Sequence, residues 1–176
     1  MLIIKEFIIN NFLFDNFNVI FLSVGIFLTL ITAISAWRKI KNNKKLFYLL
    51  LIGYILSFSL VITTTNWFLF VLGWELVTLI TTLMLLWDNK ATAWKYLIIQ
   101  FIGGSFLIYT VLVANTNGYS QIGAIDEVWL QNMFVIAMGI KSAVFGLHFW
   151  VPMIYKDASP TFCAILSMPL LNKLVV

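Results

Sequence analysis

The chain has 176 residues, of which 62% are hydrophobic and only 10% are charged, and its formal net charge is +4 at pH 7. Its mean hydropathy is +1.00. This composition excludes an ordinary soluble domain, because a folded soluble protein of this size needs far more polar surface. We predict an all-α integral membrane protein that forms a single membrane domain over 1–176.

Six apolar stretches follow an N-terminal segment over 1–16. Each stretch approaches the roughly 20 residues that a helix needs to cross about 30 Å of hydrocarbon. The candidate transmembrane helices cover 17–37, 46–65, 67–87, 96–114, 128–151 and 160–176. We expect the stretch 153–159, between two prolines, to interrupt the helical run, which a membrane protein tolerates where protein or water covers the backbone.

A basic run at 38–45 indicates how the chain is oriented. It holds five of the 11 basic residues and lies between two apolar stretches, without a soluble scaffold that would present it to nucleic acid. We therefore interpret it as a topology signal and expect no nucleic-acid partner. The loops 88–95 and 152–159 then lie on the same side as the run, and the loops 65–66 and 115–127 lie on the opposite side.

The chain has one cysteine, Cys163, and one histidine, His148. A single cysteine excludes a disulfide framework within the chain, and a single histidine excludes haem held by two histidines. We expect this chain to carry no metal and no cofactor of its own.

Three ionisable residues lie deep inside apolar stretches. At 1.5 Å per residue, Glu75 is about 12 Å into its span, and Lys141 and Lys173 are about 20 Å into theirs. Each would cost on the order of 2.5–3.5 kcal/mol at a helix centre. Such residues most often mark an ion or proton path; a structural ion pair, for instance between Glu75 and Lys141, is the alternative.

Two further residues are candidates for a proton path. Lys95 opens the fourth span and could enter the helix bundle or anchor the end of a loop. His148 lies near a helix end, where its near-neutral pKa would suit a proton relay, and packing at the helix end is an equally good interpretation.

Several of these stretches resemble the antiporter-like proton-pumping subunits of respiratory complex I, which are related to subunits of multi-component sodium/proton antiporters. The stretches are GWEL at 73–76, KYLIIQ at 95–100 and GIKSAVFGLHFWVPMIYKDASPT at 139–161, followed by Lys173. Within the family, they resemble subunit 2 of NADH:ubiquinone oxidoreductase most. Lys173 argues against subunit 5, and subunit 4 stays open.

The resemblance implies a mechanism and a role for each residue. Glu75 would match the family's intramembrane glutamate, Lys141 the lysine before the helix break, Lys173 the central lysine and Lys95 an additional lysine. Glu75 would bias the charge on Lys141, which passes protons towards Lys173. NADH, flavin (FMN), iron–sulfur clusters and ubiquinone would belong to partner subunits, and the location would be the mitochondrial inner membrane.

Members of this family continue for many more helices and include a second inverted repeat. The resemblance therefore implies one half of an inverted-repeat fold, with the last helix belonging to a discontinuous region. We expect a separate polypeptide to supply the C-terminal half, with a truncated chain as the alternative. Other complex I membrane-arm subunits, and membrane lipids such as cardiolipin, are further expected partners. The rival functions are a subunit of a cation/proton antiporter without redox coupling and a membrane scaffold that does not pump.

Overall fold

The computed structural model describes residues 10–13, 15–123, 125–144 and 146–171. Lys173 lies outside the described residues. Within them the chain is helical, with two isolated β-bridges that join loops at one end. The helices are α1 (Asn16–Lys39), α2 (Lys44–Thr63), α3 (Trp67–Leu85), α4 (Lys90–Thr116), α5 (Val128–Lys141), α6 (Trp150–Asp157) and α7 (Pro160–Leu171).

Four helices, α1 to α4, are long and apolar enough to cross a membrane. The prediction of an all-α multi-pass membrane protein is confirmed, although fewer helices reach membrane length than the six candidate spans. The apolar helix α5 is shorter, with 14 residues, and the described part of α7 has 12.

Side-chain caps set where three of the long helices begin. The carboxylate of Asp15 accepts the backbone N–H of Asn18 at the start of α1. Asn66 accepts two backbone N–H groups at the start of α3, and Asn89 does the same at the start of α4. These oxygens satisfy N–H groups that have no partner within the helix. The Asn89 cap explains why α4 begins at Lys90, six residues before the predicted span 96–114.

The predicted continuous span 128–151 is interrupted in the structure. Helix α5 ends at Lys141, because Ala143 adopts a left-handed conformation with φ 49°. Two hydrogen bonds close this end: Val144 N–H donates to Gly139 O at 3.0 Å, and Ala143 N–H donates to Ile140 O at 3.3 Å. This pair of bonds is the Schellman motif, which ends helices.

The interruption predicted at 153–159 is wrong for most of that stretch, because α6 extends to Asp157. Pro152 lies in the first turn of α6, and Pro160 is the first residue of α7. The first turn of a helix tolerates proline, since N–H groups there have no intrahelical acceptor. Both prolines therefore lie at helix starts. The helical run is interrupted at 142–149, between α5 and α6, and again at 158–159, between α6 and α7.

The two ends of the helix bundle match the predicted topology. At one end, Lys39 and Asp88 form an ion pair at 2.6 Å, Ser159 N–H donates to Asp88 at 2.6 Å, and Lys95 contacts Asp157 at 3.1 Å. The basic run and the loops 88–95 and 152–159 therefore lie together, and we call this the basic end.

At the opposite end, Ile122 N–H donates to Thr65 O at 2.6 Å, and Thr65 N–H donates to Asn11 O at 2.8 Å. The loops 65–66 and 115–127 are thus side by side, as predicted.

The buried apolar side chains form two clusters. One lies towards the basic end and includes Phe47, Tyr54, Tyr96 and Trp150. The other lies towards the opposite end and includes Trp67, Phe70, Trp74, Leu107 and Leu130. Along α3, α4 and α5 the change from one cluster to the other falls at positions 75, 103–104 and 141. This is the level at which the candidate site lies.

Candidate functional site

Glu75 and Lys141 form an ion pair between α3 and α5. The distance from Lys141 Nζ to Glu75 Oε1 is 2.8 Å. The Lys141 side chain is fully buried, and the Glu75 side chain is 21% exposed. The ion pair that the sequence analysis gave as an alternative interpretation is therefore present. Among the described residues, it is the only ion pair between α3 and α5.

Neither charged atom has another hydrogen-bond partner among the described residues. An ammonium group has three donors, and a carboxylate can accept about four hydrogen bonds. Within the described part of the chain, the buried pair therefore has hydrogen-bonding capacity that the protein does not use.

The position of Lys141 at the end of α5 adds to its electrostatic setting. Lys141 is the last helical residue, and the C-terminal end of a helix carries a partial negative charge that favours a cation. A 14-residue helix is roughly 21 Å long, shorter than the roughly 30 Å of hydrocarbon. A helix that starts at one membrane surface with Trp129 therefore places Lys141 within the membrane.

The end of α5 is held in place by two contacts from the segment that follows it. Trp150 Nε1 donates a buried hydrogen bond to Ile140 O at 2.8 Å. Gly139 allows Leu147 to pack closely, since a Cβ at position 139 would lie 2.8 Å from Leu147 Cδ1. These contacts fix the carbonyl end of α5, and with it Lys141, relative to α6.

Two adjacent glycines on α4 make the ion pair sterically possible. A Cβ at Gly104 would lie 2.5 Å from Glu75 Oε1, and a Cβ at Gly103 would lie 3.1 Å from Lys141 Cγ. Gly103 thus faces Lys141 and Gly104 faces Glu75, so the pair meets against bare backbone. The sequence analysis did not identify this glycine pair as part of the site. The sequence signal that could have identified it was two adjacent small residues in the same apolar stretch as KYLIIQ, one of the segments that resemble the family.

Buried polar side chains lie on α3 and α4 between the ion pair and the basic end. Gln100 is 2% exposed and its Nε2 has no described hydrogen-bond partner; the same holds for the hydroxyl of the fully buried Thr92. Tyr96 lies between them on α4 and is also buried, at 2% exposed. Sequence reasoning missed these residues, because single polar residues in a span have many structural roles.

Glu75 also borders an apolar cavity of about 340 Å³ between α3 and α4. Its walls are aliphatic and aromatic side chains, among them Leu72, Leu79 and Ile108, and Glu75 is the charged residue among those that line it. The cavity therefore adjoins the Glu75 side chain, and Lys141 is not among the residues that line it.

The other predicted site residues lie elsewhere. Lys95 pairs with Asp157 at 3.1 Å, with both side chains well exposed at the basic end, which fits the loop-end interpretation. His148 is exposed between α5 and α6, where its Nδ1 accepts the N–H of Gly146 at 3.3 Å. The structure thus brings together Glu75 and Lys141, whereas Lys95 pairs with Asp157 at the basic end. Within the described ranges, no three His, Cys, Asp or Glu side chains come together as a metal site.

Comparison with known proteins gives a family match. The family described as NADH:quinone oxidoreductase/Mrp antiporter, transmembrane, matches residues 64–174. The chain is 27% identical over 162 residues to NAD(P)H-quinone oxidoreductase chain 4 of Picosynechococcus, which covers 83% of this chain and 29% of that protein. It is 29% identical over 165 residues to NADH-ubiquinone oxidoreductase chain 5 of Pseudosoriculus fumidus, covering 85% of this chain and 27% of that protein.

A chloroplastic chain 4 from Chlorokybus atmophyticus is 28% identical over 163 residues, covering 83% of this chain and 31% of that protein. The chain thus spans less than a third of the length of these curated relatives. These relatives are chains 4 and 5 and do not single out subunit 2, which stays a prediction.

A solved structure has the same fold. A chain of respiratory complex I from Thermus thermophilus with bound aureothin superposes with a TM-score of 0.74 at 20% identity, over 94% of this chain and 41% of that chain.

Proposed function

Because the chain belongs to the NADH:quinone oxidoreductase/Mrp antiporter family, we propose that it is a proton-translocating membrane-arm subunit of NADH:ubiquinone oxidoreductase, complex I. In this proposal the chain carries part of a proton half-channel, and electron transfer from NADH to ubiquinone drives the protons. The enzyme class is that of the whole complex, NADH:ubiquinone reductase (H⁺-translocating).

The observation that carries the proposal is the Glu75–Lys141 ion pair. Its atoms are 2.8 Å apart and lie at the level where α5 ends, with Lys141 fully buried. Removing one charge from a buried pair leaves the other uncompensated, which costs about 3–5 kcal/mol. The charge states of the two residues are therefore strongly coupled.

This coupling supplies the proton step. Lys141 Nζ holds the proton while Glu75 is an adjacent carboxylate. A change that moves Glu75 away or protonates it removes the favourable interaction with the ammonium, and Lys141 then passes its proton to the next acceptor. The return of the Glu75 carboxylate makes Lys141 take up another proton, so that one cycle moves one proton past the pair.

The polar residues towards the basic end fit an uptake path to this pair. Thr92, Tyr96 and Gln100 follow one another along α4 with buried polar groups, and hydroxyl and amide groups can hold a chain of water along a membrane helix. Lys173 is the proposed acceptor beyond Lys141. Lys95 and His148 would act at the ends of the path, where both side chains are exposed.

The proposal assigns the redox groups to partner subunits. NADH, FMN, iron–sulfur clusters and ubiquinone would be bound there, and this chain would contribute no redox centre. Its partners would be other membrane-arm subunits, and its location the mitochondrial inner membrane. Relatives from chloroplasts and a cyanobacterium show that the same fold also serves other membranes.

The family description also names Mrp antiporters, so the second candidate function is cation/proton antiport without redox coupling. The third is a scaffold that keeps the ion pair for packing.

To separate the first two functions, the native assembly is purified in mild detergent through a tag on this chain, and the co-purifying proteins are identified by mass spectrometry. Complex I subunits, together with NADH-dependent reduction of a ubiquinone analogue, are the expected result. Cation-antiporter subunits, or this chain alone as a homo-oligomer, would contradict the proposal.

A further inference from the structure

We propose that the cleft between the end of α1 and the start of α2 binds an anionic phospholipid, with the acyl chains along α1 and the phosphate at the basic run. This inference gives the membrane lipids expected as partners a defined site. It does not depend on the proton role of Glu75 and Lys141.

The cleft has the shape and position that a lipid tail requires. It is a cavity of about 570 Å³ lined by Ala33, Ile34, Trp37, Arg38 and Tyr48. Ile34 is 73% exposed and Trp37 is 65% exposed, so its apolar wall faces out of the helix bundle. The Tyr48 hydroxyl donates to Ala33 O at 3.0 Å. This hydrogen bond links α2 to α1 and holds the tyrosine ring in place as one wall of the cleft.

The charge at the mouth of the cleft is positive and uncompensated. Of the five basic residues in 38–45, Lys39 is paired with Asp88. The structure gives no carboxylate within ion-pair distance of the other four in the described part of the chain, and the run itself contains no acidic residue. These four are Arg38, Lys41, Lys44 and Lys45.

Arg38 and Lys44 are the residues best placed to hold a phosphate. Arg38 lines the cleft itself, and a guanidinium group can bind phosphate through two parallel hydrogen bonds. Lys44 Nζ lies 4.9 Å from the centre of the Trp37 ring, which holds the ammonium over the same cleft. A cation from each helix therefore flanks one apolar cleft.

This combination fits a lipid better than a protein partner. Basic pockets between membrane helices, at the surface where lysine and arginine concentrate, bind anionic lipid headgroups. Lysine is depleted in the cores of protein interfaces, and a protein helix in the cleft would have to bring carboxylates to four unpaired cations. An anionic phospholipid supplies both the negative charge and the apolar chain in one molecule.

The test uses the full chain in nanodiscs of phosphatidylcholine mixed with phosphatidylglycerol, with native mass spectrometry to count the lipids that remain bound after release. The test variant carries Arg38→Gln and Lys44→Gln. The control variant carries Lys90→Gln and Lys156→Gln, which removes the same charge from exposed positions outside the cleft at the same end. A Trp37→Ser variant tests the apolar wall.

We expect selective retention of phosphatidylglycerol by the unchanged chain and by the control. Each removed cleft charge should weaken retention about fivefold, so that the double variant loses about 25-fold; Trp37→Ser should also weaken it. Equal retention of both lipids, or equal loss in the test and control variants, would overturn the proposal. So would a photo-crosslinker at position 34 that captures a membrane protein instead of lipid in the native assembly.

Discussion

At the scale of single residues, the proposed function of this chain depends on one buried ion pair. Lys141→Met should destabilise the folded chain by about 3–5 kcal/mol, because Glu75 would keep a charge without a partner in the membrane. Adding Glu75→Gln to the same chain should recover much of this loss, since no ion would then remain at the site. Thermal unfolding of both variants in detergent measures the difference.

The control for this pair is Lys95→Met. Lys95 also forms an ion pair, but its side chain is 45% exposed and that of Asp157 is 35% exposed. Solvent screens such pairs, so this variant should change the free energy of unfolding by less than about 1 kcal/mol. A Lys141→Met variant as stable as Lys95→Met would show that Glu75 and Lys141 are not coupled.

Gly104→Ala tests the close approach of α4 to Glu75. The new Cβ would lie 2.5 Å from Glu75 Oε1, so the carboxylate must shift away from Lys141. We expect a loss of about 1–3 kcal/mol, as for other overpacked sites, measured by thermal unfolding. Gly53→Ala on α2 is the matched control, because its Cβ would meet Ile80 at an ordinary 3.4 Å and should leave stability unchanged or raised.

The sequence identified both members of the ion pair, because an ionisable residue in an apolar span stands out by composition alone. It did not identify Gly103 and Gly104 as part of the site. Their role depends on which helix lies between Glu75 and Lys141, and that is a property of tertiary packing. For the same reason it left open whether Lys95 enters the bundle, which the contact with Asp157 at the basic end decides.

At the scale of helices, the break between α5 and α6 determines where Lys141 lies. Ala143 holds a left-handed conformation at φ 49°, which for a residue with a Cβ costs roughly 1–2 kcal/mol. Ala143→Gly should therefore stabilise the chain by about 1 kcal/mol, seen as a higher unfolding temperature.

Ala137→Gly, inside α5, is the control with the opposite sign. Ala137 is fully buried in the interior of α5, where glycine loses packing and about 1 kcal/mol of helix propensity. Destabilisation by both substitutions would contradict the left-handed end of α5 described above.

The break between α5 and α6 was missed by the prediction for a physical reason. Proline is the strongest breaker visible in a sequence, and so the break was assigned between Pro152 and Pro160. Both residues instead lie in first turns, where proline is tolerated. The residue that ends α5 is an alanine, and alanine favours helix by propensity. This end of α5 is also held by the contacts of Gly139 with Leu147 and of Trp150 with Ile140, which no local sequence signal records.

At the scale of the whole molecule, Asp88 ties three parts of the chain together at the basic end. It accepts hydrogen bonds from Lys39 of α1 and from the backbone N–H of Ser159, the residue before α7. Burial alone would raise the pKa of Asp88, but these hydrogen bonds outweigh it and hold the pKa below its ordinary value. The carboxylate therefore contributes stability at neutral pH.

The sign of this shift gives a pH prediction. A carboxyl group with a lowered pKa in the folded state stabilises the fold above its ordinary pKa, near 4, and loses that contribution as pH falls through the lowered value. Asp88→Asn should lower stability by about 1 kcal/mol at pH 7. The difference from the unchanged chain should shrink below about pH 4, as thermal unfolding across pH would measure. A difference that stays constant down to pH 3 would contradict this role.

The basic residues also show how far topology could be predicted. The basic run placed the loops 38–45, 88–95 and 152–159 on one side, and the contacts of Asp88 and Asp157 confirm it. Charge distribution predicts on which side of the membrane each loop lies, because moving charge across a membrane is costly however the helices pack. Charge does not determine how the predicted span 128–151 divides into α5 and α6, and only the structure gives that division.

In the proposed function, the Glu75–Lys141 pair moves protons. This role is tested by the number of protons translocated per NADH oxidised, measured with the assembled complex in proteoliposomes for Lys141→Met and for a Lys90→Met control. We predict that the control keeps the ratio of the unchanged complex and that Lys141→Met lowers it while the complex remains assembled. An unchanged ratio in fully assembled Lys141→Met complex would contradict the claim and leave the pair a structural contact.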